Sequence, residues 1–142
     1  MKKKFLSLAF FLVSLSMFSQ NWIEVGKDKF GNEYYIKSSI VSKGGDFGIN
    51  DSIIKIWTKQ TSKSFTDNRN KKKKVYYNIY LIQLFEFDCS NSSAKLLSRT
   101  FYTSKGGVIM GNDIEPYSTN WEVVVPDSIG ETILNKVCEL YN

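Results

Sequence analysis

Histidine is absent from all 142 residues of the chain. That absence excludes Ser-His-Asp and Cys-His catalysis and every histidine-ligated zinc site. Only two cysteines occur, Cys89 and Cys138. In an exported chain two cysteines most simply form one disulfide, which leaves no thiol nucleophile. No glycine-rich phosphate loop is present, and Gly44-Gly45 and Gly106-Gly107 read as turns. Net charge is small as well. There are 19 basic and 14 acidic residues, and Lys2, Lys3 and Lys4 sit in a segment expected to be removed. Taking those three from 19 leaves 16 basic residues against 14 acidic, a net charge of about +2. That is too little to support a general nucleic-acid role. Carboxylate-pair catalysis needs only acidic residues. Asp28, Glu33, Asp46, Asp51 and Asp67, however, fall in predicted turns and loops with no motif around them, the pattern of solvated surface. Asp113 and Glu115 lack the oxygen-rich loop spacing of a cation site. No cofactor, metal or enzymatic activity is expected.

The beginning of the chain has a clear pattern. Lys2, Lys3 and Lys4 form a basic start, and Phe5 to Val13 is almost unbroken in its apolar character. The small residues Ser14, Ser16 and Ser19 follow. This order is that of a cleavable secretory signal, with an apolar core shorter than the roughly 20 residues that span a bilayer. Residues 1–19 are assigned to the signal and 20–142 to one exported domain, with the mature start between Met17 and Asn21. The ending around Phe18-Ser19-Gln20 resembles signals of the Bacteroidetes group. No later apolar run could anchor the chain in a membrane, and no cysteine near the cleavage region could carry a lipid. The expected location is the periplasm, the cell surface or the medium. About 120 mature residues suffice for one modest core.

Within that domain the periodicity is mostly that of strands. Short strands are predicted over Trp22–Val25, Tyr34–Ile36 and Ile53–Thr58, and Lys37 to Asn50 reads as a looser connection. Thr61 to Lys74 is the most polar stretch and reads as a long exposed hairpin loop. Val75 to Cys89 is the longest strand. One alternating set runs Val75, Tyr77, Ile79, Leu81, Gln83, Phe85, Phe87 and Cys89, nearly all apolar, so it is expected to face the core. Ala94–Thr103 returns antiparallel, Val108–Met110 begins a further strand, and Trp121–Val125 forms the last. The chain then ends in a helix. Ser128 and Glu131 have capping-box spacing, and Ile133, Leu134, Val137, Cys138 and Tyr141 share one face. Each cysteine thus points inward on its own pattern. The helix is expected across one face of the sheet, pinned by a Cys89–Cys138 bridge. The fold class is α+β: a single antiparallel sheet of about six strands with one C-terminal helix.

The charged feature that stands out is Arg69 with Lys71, Lys72, Lys73 and Lys74, directly before Tyr76, Tyr77 and Tyr80. It reads either as a solvated loop that keeps a sheet edge soluble or as a contact for an anionic glycan, acidic protein or lipid headgroup. The candidate binding residues are Arg69, Lys71, Lys72, Lys73, Lys74 and Tyr76. Tyr34, Tyr76, Tyr80 and Tyr102 form either a binding face or ordinary packing.

The chain also resembles the surface-adhesin protein E family of exported bacterial proteins, from about Trp22 to Cys138. The resemblance rests on Trp22-Ile23-Glu24-Val25-Gly26, Tyr35-Ile36 with Ser39-Ile40, Ile56-Trp57, and Phe87-Asp88-Cys89 with Arg99 after it. Its last mark is the run Trp121 to Ser128 before the helix ending at Cys138. It implies a curved sheet with the helix tethered to the concave side, and adhesion to host matrix proteins such as vitronectin and laminin. The chain departs from the family in lacking a lipid-anchor cysteine and in having Lys37 where an aspartate is common. The expected function is that of an exported, non-enzymatic binding module whose partner is a protein or glycan macromolecule, with pairing of two copies left open. The alternative is an accessory protein of an envelope complex with no host ligand.

Overall fold

The computed structural model describes residues 21–45, 50–69, 73–113 and 120–142. They form β1 (Trp22–Lys27), β2 (Glu33–Lys37), β3 (Ser42–Gly44), β4 (Asn50–Asp67), β5 (Lys74–Asp88), β6 (Ser93–Tyr102), β7 (Val108–Asp113), β8 (Glu122–Val123) and the helix α1 (Ile129–Tyr141). Every strand pair is antiparallel. The sheet runs β1-β2-β4-β5-β6-β7 and is open, with β1 and β7 at its ends. Two positions are shared by broken strands. β2 pairs with residues 58–60 of β4 while β3 pairs with residues 50–55, and β7 and β8 divide β6 in the same way. The eight strands therefore occupy six positions, in agreement with the α+β sheet expected from the sequence. β3 was not legible there because Ser42, Lys43 and Gly44 carry no strand periodicity.

The core follows from alternation. Ile54 and Ile56 of β4 lie opposite Phe87 and Phe85 of β5, and together with Ile36 of β2 they present one apolar face. α1 places Leu134 and Val137 on that face, and the two are 4% and 0% exposed. The Ser128 hydroxyl caps the helix by accepting from the Glu131 amide at 3.2 Å. Glu131 reaches back to the amide of Asp127, one residue before the cap, at 2.8 Å. At the other end the Tyr141 hydroxyl donates to the Lys37 carbonyl at 3.2 Å. The Cys89–Cys138 disulfide joins the end of β5 to the same helix. Asp88 organises the neighbouring turn: its carboxylate accepts from the amides of Ser90 and Asn91, the Asn91 side chain and the Ser52 hydroxyl.

Two expectations are corrected. Residues 61–67 are strand, not loop. Their polar side chains hid a backbone that pairs with residues 74–80 almost to the tip. The apolar alternation of β5 does not continue to Val75 and Tyr77 either, since Tyr77 is 70% and Val75 44% exposed. Asn78 between them and the core adopts a left-handed backbone, φ 50°. A side chain at positive φ marks a break in a regular strand. Beyond it Phe65 and Tyr76, from the opposite alternating set, pack with Ile79, Leu81 and Phe101 in a second small core. The Phe65 ring lies 4.4 Å from that of Phe101, so the distal arm leans over β6.

Candidate functional site

The sheet has two faces, and α1 covers only one. Cross-strand partners Trp22 and Lys37, Tyr35 and Lys59, Lys59 and Ile82, and Tyr80 and Tyr102 share the other. Antiparallel partners project to the same side, so five neighbouring strand positions contribute to one surface.

That surface has two halves. In one, Glu86 is 1% exposed and lies between two lysines, with Lys55 at 3.0 Å and Lys95 at 3.8 Å. The Lys95 ammonium also approaches the Trp121 ring, 6.0 Å from its centre. A buried carboxylate between two ammonium groups is an ion cluster linking β4, β5 and β6 within this face.

The other half is open. A trough of about 490 Å³ is lined by Trp22, Lys59, Thr61, Tyr80, Ile82 and Tyr102. The Tyr80 and Tyr102 rings stack at 5.1 Å with 9° between their planes. The Lys59 ammonium stands 4.4 Å from the Tyr35 ring centre and 5.3 Å from that of Trp22, and Lys37 is 4.9 Å from Trp22. The negative ring faces hold both cations in place. The nearby carboxylate of Glu33 is already engaged. It pairs with Lys27 at 2.8 Å and accepts from the Tyr35 hydroxyl at 2.7 Å. The Lys27 hydrogen bond, with that of Tyr35, holds Glu33 below the usual carboxylate range. The same hydrogen bond to Glu33 pushes Tyr35 up to about 12, so its hydroxyl stays protonated at neutral pH.

The basic run is only partly within this picture. Arg69 is tied down, donating to both carboxylate oxygens of Asp67 at 2.9 and 2.7 Å and to the Ile109 carbonyl at 3.0 Å. Lys71 and Lys72 lie outside the described residues. Lys73 and Lys74 are exposed, and Lys74 sits 4.7 Å over the Tyr76 ring. Of the four tyrosines, Tyr80 and Tyr102 come together in the trough. Tyr76 joins the small core, and Tyr34 donates to Asp28 in the β1–β2 turn at 3.0 Å. Sequence reasoning missed Trp22, Tyr35 and Lys59. The signal that could have found them was the parity of β4, which places Lys59 out of phase with Ile54 and Ile56.

A larger hollow of about 710 Å³ opens on the helix side between β6, β8 and the start of α1. Phe85, Leu96, Val123, Val125 and Ile129 line it with Glu122, and among the described residues no cation does. Among the described residues, no group of three or more acidic, cysteine or histidine side chains is placed to hold a metal ion. No helix of the described residues is long and apolar enough to cross a membrane.

An open antiparallel sheet with one face closed by a disulfide-stapled helix, and the other bearing aromatic rings and lysines, defines a surface platform. The chain belongs to the surface-adhesin protein E family, whose profile matches residues 22–139. Its fold is similar to crystal form II of Haemophilus influenzae protein E, with a TM-score of 0.58 and 15% identity, covering 86% of this chain and 90% of that one. The selenomethionine form of the same Haemophilus influenzae protein aligns with a TM-score of 0.57 and 16% identity, over 86% and 88% of the two chains. At such identities the likeness is one of fold. No curated protein matches the chain.

Proposed function

We propose that this chain is an exported, non-enzymatic binding module that holds an extracellular-matrix or cell-envelope macromolecule on its helix-free sheet face. Residues 1–19 act as the cleaved signal, and the folded domain works beyond the inner membrane. The observation that carries the reading is the trough: rings and ammonium groups from separate strands converge on a surface that no part of the described chain covers. Membership of a surface-adhesin family supports the same direction. The mechanism is surface complementarity with charge steering rather than bond chemistry.

The test is capture of envelope and matrix macromolecules by the exported chain, compared with a Tyr80→Ala/Tyr102→Ala variant. Loss of capture with an unchanged unfolding curve supports the sheet face. Undiminished capture refutes it. The lysine run is assigned an auxiliary steering role, since Lys73 and Lys74 are exposed at the arm tip. Changing Lys71 to Lys74 to serine leaves folding intact and weakens capture most at low salt. Unchanged capture at low salt removes the run from the mechanism.

A further inference from the structure

We infer that the open half of the helix-free face is a site for an acidic saccharide, bound across the strands between Trp22 and the Tyr80–Tyr102 pair. The inference rests on the binding-face reading above and names its ligand class.

Three observations narrow the chemistry. The first is charge. Lys37 and Lys59 are held over rings, and neither lies within ion-pair distance of a carboxylate among the described residues. Glu33, which Lys59 reaches electrostatically, is already paired with Lys27 at 2.8 Å. Glu24 shares this face opposite Tyr35, and Glu33 acts on Lys59 only at longer range, so two ring-held ammonium groups without a close ion pair are left to complement a carboxylate or sulfate.

The second is the floor. Strands β2, β4 and β5 beneath the trough are paired on both sides. An extended peptide binds a sheet by adding to a free edge; the floor strands offer none, and the free edge of β1 lies beyond the Trp22 end of the trough. Recognition there is by side chains alone.

The third is the amphipathic character of the walls. Tyr80 and Tyr102 stack with each other, and neither hydroxyl has a hydrogen-bond partner among the described residues. Ring surface beside free hydroxyls suits a pyranose, which offers a C–H face to the ring and hydroxyls at its edge. The volume of about 490 Å³ lies within the ~300–1,000 Å³ of small-ligand sites.

The experiment is amide chemical-shift mapping of the exported chain titrated with a heparin-derived hexasaccharide, with maltohexaose as the neutral control. Shifts are expected around Trp22, Lys59, Tyr80 and Tyr102. Affinity should fall at least about tenfold in Lys59→Ala, hold within about threefold in Lys59→Arg, and weaken with salt. Lys73→Ser/Lys74→Ser should leave these shifts in place. Equal binding of maltohexaose would overturn the charge argument. Shifts confined to the arm tip would overturn the site. Equal competition by poly-glutamate or by oligodeoxythymidine would overturn the saccharide assignment. If Tyr80→Ala/Tyr102→Ala abolishes macromolecule capture while the hexasaccharide gives no shifts on this face, the saccharide inference fails and the binding-face reading stands.

Discussion

Replacing both bridged cysteines, Cys89→Ala/Cys138→Ala, should weaken the fold strongly without releasing the helix. The bridge spans a sequence separation of 49. In the chain-entropy treatment a closed loop of about 50 residues removes denatured-state freedom worth about 4 kcal/mol. The helix has other holds. Leu134 and Val137 are buried against Ile36, Ile54 and Ile56, and each such side chain contributes about 1.5–3 kcal/mol. Tyr141 adds its hydrogen bond to Lys37. The double variant should therefore keep its helical signal while losing about 4 kcal/mol, or roughly 10–20 °C in melting temperature for a domain of this size. Urea unfolding followed by far-ultraviolet circular dichroism measures both, and the denaturant slope should rise because the unbridged denatured chain is more open. Adding Leu134→Ala should then undock the helix, since that change alone costs about 2–5 kcal/mol. A loss below about 1 kcal/mol in the double variant would refute the loop-entropy reasoning. Loss of the helical signal without denaturant would refute the claim that packing holds the helix unaided.

Other predictions concern the sheet and the arm. Glu86→Ala should cost about 3 kcal/mol by removing the buried carboxylate from between the Lys55 and Lys95 ammonium groups, measured in the same urea assay. Asn78→Val should destabilise the chain by about 1–2 kcal/mol, while Asn78→Gly should be near neutral, because only the former forces a branched side chain into positive φ. Asp67 is held at about 2, below its ordinary 3.8, chiefly by the side-chain hydrogen bond from Arg69. A carboxylate depressed in the folded state favours folding above pH 3.8, and that contribution is lost as pH falls from about 4 toward 2. Hydrogen exchange at the arm tip should accelerate over that window, and the Asp67→Asn variant should show no such step.

Much of the frame was legible locally. Apolar alternation in residues 79–87 showed which side of that strand is inside, and β-branched and aromatic content marked 53–58 as strand. The Ser128–Glu131 spacing and the apolar stripe from Ile133 to Tyr141 did the same for the helix. Because each cysteine lay on an inward set, the bridge and the helix position followed together. These features depend on a residue and its near neighbours, which is all that periodicity and capping require. Tertiary structure alone decided the rest. The arm's strand character came from pairing between residues 61–67 and 74–80 and from Phe65 meeting Phe101. Neither contact leaves a mark on polar sequence. Arg69, one cation among five by sequence, is set apart only because Asp67 and the Ile109 carbonyl converge on it. The trough joins Trp22 to Tyr102, from the first and the fifth of the six strand positions. Strand order, not spacing along the chain, places those rings together, since a sheet brings distant segments side by side through backbone hydrogen bonds that any sequence can make.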